Sequence, residues 1–142
     1  MKKTNNKGFS LVELIIVIAI MAILVGVLAP QYLKYVEKSR VSADKDQLDS
    51  FYTACTTAAA DPDLTGVPGY NTGSSSNPVQ FADGGSAGSW TKEVVDTMGG
   101  AAPKWKSKAS GKAGETAWPK YCTDAKGNFT VYIGATMSIS GH

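Results

Sequence analysis

Between Phe9 and Ala29 every side chain is apolar or absent except those of Ser10 and Glu13. A helix built from this run has no polar face to turn toward water. Its length is about 30 Å, enough to cross the hydrocarbon core of a bilayer. The rest of the chain is too small to cover such a helix on all sides, so the pattern predicts a single transmembrane helix rather than the core helix of a soluble protein. After Pro30 the composition changes, and Tyr32, Lys34, Tyr35, Glu37, Lys38 and Arg40 make an aromatic and charged membrane boundary. The helical pattern then becomes one-sided. Val41, Leu48, Phe51, Tyr52, Cys55 and Ala59 recur at three-, four- and seven-residue spacings, while Asp44, Lys45, Asp46, Gln47, Asp49 and Ser50 supply the solvent face. Asp61-Pro62 is a stop. Residues 9–60 therefore read as one long helix, apolar all round in its first half and amphipathic in its second.

Beyond it the punctuation is dense. Residues 61–89 are rich in Gly, Ser, Asn and Pro and read as loop, with a short strand at Val79-Gln80-Phe81. Trp90 to Met98 reads as a short helix capped by Thr91 and closed by Gly99-Gly100. Lys104 to Gly114 returns to loop composition. Ala117–Cys122 and Asn128–Ala135 read as strands joined through the hairpin signal Asp124-Ala125-Lys126-Gly127, and Thr136–Ser140 as a third. The fold class is α+β: a long N-terminal helix packed on a small C-terminal antiparallel sheet.

The 142 residues carry a formal charge of +2 from fourteen basic and twelve acidic side chains. Lys2, Lys3 and Lys7 precede the apolar run, and without them the balance is eleven to twelve, or −1. The basicity is thus a topological signal that favours a cytoplasmic N-terminus and an outward C-terminal domain. That orientation places Cys55 and Cys122 on the oxidising side. Cys55 lies on the inward stripe and Cys122 ends a strand, so a bond between them ties helix to sheet, worth about 4 kcal/mol in the chain-entropy model. The alternative is two buried free thiols. His142, the sole histidine, is the last residue, so a His-based catalytic dyad on a rigid element is excluded. Phosphate-binding glycine loops, dinucleotide fingerprints and zinc ligand sets are missing. Asp61-Pro62-Asp63 reads as a solvated turn rather than a calcium loop. Catalysis, metal and cofactor chemistry have no support.

A secretory signal is cut after its apolar stretch, behind small residues, whereas the Gly8-Phe9 step lies in front of it. The segment KGFSLVELIIVIAIMAILVGVLAPQYLKYVEKSR resembles the processing site and N-terminal helix of type IV pilins and of the related type II secretion pseudopilins. Gly8, Phe9, Glu13 at the fifth position after the cut, and the apolar helix carry the resemblance, which covers the first third of the chain. It implies a prepilin cut after Gly8, N-methylated on Phe9, and polymerised into a helical homo-oligomer. The implied divisions are a leader at 1–8, a transmembrane and polymerisation helix at 9–30, an amphipathic helix at 31–60 and a globular extracellular domain at 61–142. Implied partners are further subunits, minor pilins, the prepilin peptidase, and the assembly ATPase with its inner-membrane platform. The precursor would sit in the inner membrane, and the mature subunit in a surface pilus.

The same resemblance gives individual residues their roles. Glu13 would neutralise the Phe9 amine of a neighbouring subunit; the alternatives are a Glu reaching the headgroups or pairing with its own Phe9 amine. Gly26 and Pro30 weaken one helical turn, either as a membrane-boundary kink or as a hinge that melts in the filament. Many pilins close a C-terminal loop with two cysteines beyond the helix, whereas Cys55 lies within it. Lys104, Trp105, Lys106 and Lys108, with Lys112, Trp118 and Lys120, have the composition of a nucleic-acid surface. A solvated loop with core tryptophans accounts for them more simply. Two alternatives stand beside the pilus subunit: a secretion pseudopilin, and a DNA-binding competence-type pilin.

Overall fold

The computed structural model describes residues 10–81, 86–134 and 137–140. Gly8, Phe9 and His142 lie outside them, as do Ala135 and Thr136 at the junction of the last two predicted strands. Helix α1 runs Leu11–Ala59, followed by β1 (Val79–Gln80), α2 (Trp90–Thr97), a single 3₁₀ turn (Lys108–Ser110), β2 (Lys120–Thr123), β3 (Phe129–Ile133) and β4 (Met137–Ser140). The chain forms two compact units, one up to Val36 and one from Glu37 onward.

Among the described residues of the second unit, four strands form one antiparallel sheet in the order β1-β2-β3-β4. The hairpin between β2 and β3 turns on Asp124. One of its carboxylate oxygens, Oδ1, accepts the backbone N–H groups of Lys126 (2.8 Å) and Asn128 (2.9 Å). These bonds hold the carboxyl below its ordinary pKa. Helix α2 starts at Trp90 as expected, but its cap is Ser89 and not Thr91, the Ser89 hydroxyl accepting Lys92 N–H at 3.3 Å. Gly134, in the β3–β4 turn, has φ +67, and a Cβ there would collide with the Ser110 backbone. Only glycine meets both conditions.

The core lies where the second half of α1 covers the sheet. Leu48, Phe51, Ala54, Cys55 and Ala58 from the helix meet Phe81, Trp90, Trp105, Tyr121, Phe129 and Val131. Aromatic rings dominate it. Trp90 stacks on Phe129 with centroids 5.7 Å apart, Phe81 meets Phe51 edge-on at 5.2 Å, and the Trp90 indole N–H donates to the Cys55 carbonyl at 3.2 Å.

Sheet alternation corrects the expected bond between Cys55 and Cys122, because both cysteines are free. In β2 it is Tyr121 that enters the core under the helix, paired with Val131 on β3. Cys122 follows Tyr121 and so points to the opposite face. It shares that face with Thr130 and Tyr132, its sulfur 3.5 Å from the Tyr132 hydroxyl. One residue of strand register separates the observed thiols from the expected bond. Burial raises the pKa of the Cys55 thiol far above its ordinary value. Native protein at about pH 8 should therefore alkylate at Cys55 only slowly. Denatured, unreduced protein should take up iodoacetamide at both cysteines, as intact mass would show. A denatured, unreduced chain that gains no mass would restore the disulfide.

Candidate assembly surface

In the first unit the described residues from Ser10 to Tyr35 are all exposed. Every large apolar side chain from Leu11 to Leu28 is at least 49% exposed. Continuous apolar surface of this extent needs lipid or other helices around it. The helix is long and apolar enough to cross a membrane. Apart from its chain neighbours and the adjacent helix backbone, no atom among the described residues lies within 4 Å of a Cβ placed on Gly26, and Pro30 sits inside α1, which remains helical through both positions.

Glu13 is placed by the way α1 begins. The Ser10 hydroxyl accepts the Glu13 backbone N–H at 3.2 Å, and the Glu13 carboxylate accepts the Ser10 backbone N–H at 3.2 Å through Oε2. The Ser10 hydroxyl lies 3.4 Å from the same oxygen. This reciprocal arrangement is a capping box, which satisfies otherwise unpaired donors of the first turn. A carboxylate is also favoured at the positive end of the helix dipole. The Ser-x-x-Glu spacing at 10–13 is legible in the sequence, but treating Glu13 purely as a charge in search of a cation misses it. Phe9, the expected partner, lies outside the described residues.

In the second unit three polar side chains of α1 hold the loop that carries the lysines. Asp44 accepts Lys106 N–H at 2.9 Å, and Ser107 N–H and hydroxyl at 2.7 and 2.6 Å. Glu37 accepts Lys108 N–H at 2.8 Å, and the Gln47 amide donates to the Lys104 carbonyl at 2.8 Å. Asp44 corrects the expectation of a solvent-facing acid, since it is fully buried. Its position four residues before Leu48 puts it on the inward stripe by helical period alone. An acidic side chain hides that placement, because buried carboxylates are rare unless paired or hydrogen-bonded.

The loop alternates inside and outside. Lys104, Lys106 and Lys108 are exposed, whereas Trp105 and Ser107 are fully buried between them. Because Trp105 is fully buried, its ring has no open face on which a base could stack, and its indole N–H donates to the Ala117 carbonyl at 2.9 Å. Asp61 spends a carboxylate oxygen on Asp63 N–H at 2.9 Å, as expected of a turn.

A long N-terminal helix, apolar in its first half and packed through its second half on a small antiparallel sheet, defines a pilin-like class of protein. The chain matches the family model for the prokaryotic N-terminal methylation motif over residues 3–29. It is 41% identical over 59 residues to the type IV major fimbrial protein FimA of Dichelobacter nodosus, covering 42% of this chain and 38% of FimA. It is 42% identical over 50 residues to the type IV major pilin protein PilA of Myxococcus xanthus, covering 35% of this chain and 23% of PilA. The fimbrial protein EcpC of Eikenella corrodens is 32% identical over 104 residues, or 68% of each chain. The chain belongs to the type IV pilin family. No solved structure gives a significant match.

Proposed function

We propose that this chain is the structural subunit of a type IV pilus or pilus-like filament, with a mechanical rather than a catalytic role. The observation that carries the reading is the α1 surface from Leu11 to Leu28, exposed and apolar on every side, with one carboxylate at its first turn. Such a surface is stable in lipid and equally stable among copies of itself, where close packing replaces acyl chains. Polymerisation is then an exchange of lipid for neighbouring helices. The precursor is anchored with its N-terminus inside, cut between Gly8 and Phe9 by a prepilin peptidase, and methylated on the new Phe9 amine. An ATPase-driven inner-membrane platform lifts it into the filament, and residues 61–142 coat the fibre. Glu13 meets the Phe9 amine of a neighbour, which supplies the cation that a carboxylate at this depth needs. Gly26 and Pro30 form the weakest turn of α1, because proline provides no amide hydrogen for the Gly26 carbonyl. That turn is where the helix yields on packing.

Gly8→Arg should abolish maturation, because a long charged side chain replaces the hydrogen beside the scissile peptide. Wild-type filaments should yield an N-terminus at Phe9 by sequencing, and the variant should accumulate in the membrane with residues 1–8 attached. A native N-terminus at Met1 or beyond Ala29 would sink the processing scheme. The lysine-bearing loop does not favour the DNA-binding alternative, given the burial of Trp105.

A further inference from the structure

The face of the sheet turned away from α1 is polar in a regular way. Gln80, Lys120, Tyr132 and Ser138 are directly paired across β1, β2, β3 and β4, so their side chains form one row spanning the sheet. This row lines a cavity of about 700 Å³, within the size range of small-molecule sites. Two further walls close on it. One is the loop carrying Ser75 and Ser76, and the other brings Lys112 and the buried Trp118. No carboxylate is among its described lining residues, which include two ammonium groups.

The donors and acceptors are of a particular kind. Serine and tyrosine hydroxyls and the Gln80 amide both donate and accept, as they must to match the hydroxyls of a sugar. The Tyr132 phenol is pushed up to about 12, chiefly by burial and then by its contact with Cys122, so it keeps its proton at neutral pH. The Trp118 indole N–H is a buried donor with no acceptor among the described residues, and such groups are rare in folded proteins. The lysines add a requirement for negative charge. A compact inorganic anion would fill a small part of the cavity and leave the hydroxyl row unused.

We propose that this cavity is a binding site for an acidic sugar, a uronate-type residue of a polysaccharide, with its carboxylate toward Lys112 and Lys120 and its hydroxyls along the Gln80–Lys120–Tyr132–Ser138 row. The site lies wholly within the second unit and does not depend on filament assembly.

The test uses the full-length protein in a neutral detergent, titrated calorimetrically with tri-galacturonate. Saturable binding is expected, weakening as salt is raised. The methyl ester of the same trisaccharide, which lacks charge, and inorganic tripolyphosphate, which lacks sugar hydroxyls, should each bind at least about tenfold more weakly. The double variant Lys112→Gln/Lys120→Gln should lose at least about tenfold in affinity with its thermal midpoint unchanged, since both lysines are exposed. Lys104→Gln/Lys106→Gln removes the same charge outside the cavity and should bind as wild type. Four results would each overturn the proposal: no saturable binding, equal affinity for the ester, equal affinity for tripolyphosphate, or equal weakening by the two lysine pairs.

Discussion

Asp44→Ala should destabilise the second unit by about 3 kcal/mol, lowering its thermal midpoint by roughly 10 to 20 °C. The carboxylate is fully buried and receives the backbone N–H groups of Lys106 and Ser107 together with the Ser107 hydroxyl. Removing it leaves these donors facing a cavity, which is worse than never having buried them. The damage should spread, because the carboxylate is one of the ties, with Glu37 and Gln47, that fasten the segment from Lys104 to Lys108 to α1. Trp105 sits in the middle of that loop, fully buried, so loosening the loop loosens the core. Asp44→Asn should recover about half of the loss, since an amide oxygen still accepts but without charge. Asp46→Ala, on the exposed side of the same turn, should stay within about 0.5 kcal/mol of wild type. Near-ultraviolet circular dichroism of the full chain in detergent, reading the tryptophans through a thermal scan, makes the comparison. If Asp44→Ala melts with Asp46→Ala, the hydrogen bonds to the carboxylate carry no stability.

The second large effect is on assembly. Glu13→Ala should reduce filament yield at least about tenfold at equal expression, the equivalent of about 1.4 kcal/mol per subunit added. The structure complicates this substitution, because Glu13 also completes the capping box with Ser10. Two further variants separate the roles. Glu13→Gln keeps a side-chain oxygen at the third position of the helix and so keeps the cap, but carries no charge. Ser10→Ala keeps the charge and loses the cap, with a loss of about 1 kcal/mol in the helix start. If the carboxylate neutralises a neighbour's amine, Glu13→Gln should assemble as poorly as Glu13→Ala, and Ser10→Ala nearly as well as wild type. The measurement compares sheared surface filaments with membrane-bound subunit in cells making only the variant. Normal filament yield from Glu13→Gln would show that Glu13 serves the helix start and not the assembly contact.

What could be read along the chain was whatever local pattern dictates. The unbroken apolar run to Ala29 requires a helix and an apolar environment, since no other backbone arrangement satisfies its own hydrogen bonds there. The stripe through Leu48, Phe51 and Cys55 follows from a period of 3.6 residues, and the hairpin at Asp124–Gly127 from the residues that make such a turn. The Ser10–Glu13 cap was equally local, and the spacing that reveals it is four residues long. Long-range placement was not legible in this way. The fate of Asp44 depended on a loop sixty residues further on arriving with its N–H groups turned inward, without which an acid at that position belongs in water. The missing disulfide depended on strand register: shifting β2 by one residue would send Cys122 under the helix and Tyr121 outward, and the aromatic packing of Tyr121 against Trp90 and Phe129 favours the observed register. The polar row of Gln80, Lys120, Tyr132 and Ser138 comes from four separate strands, so no window of sequence contains it. Periodicity determines which face of an element is apolar, whereas the pairing of faces between distant elements is settled only when the whole core closes.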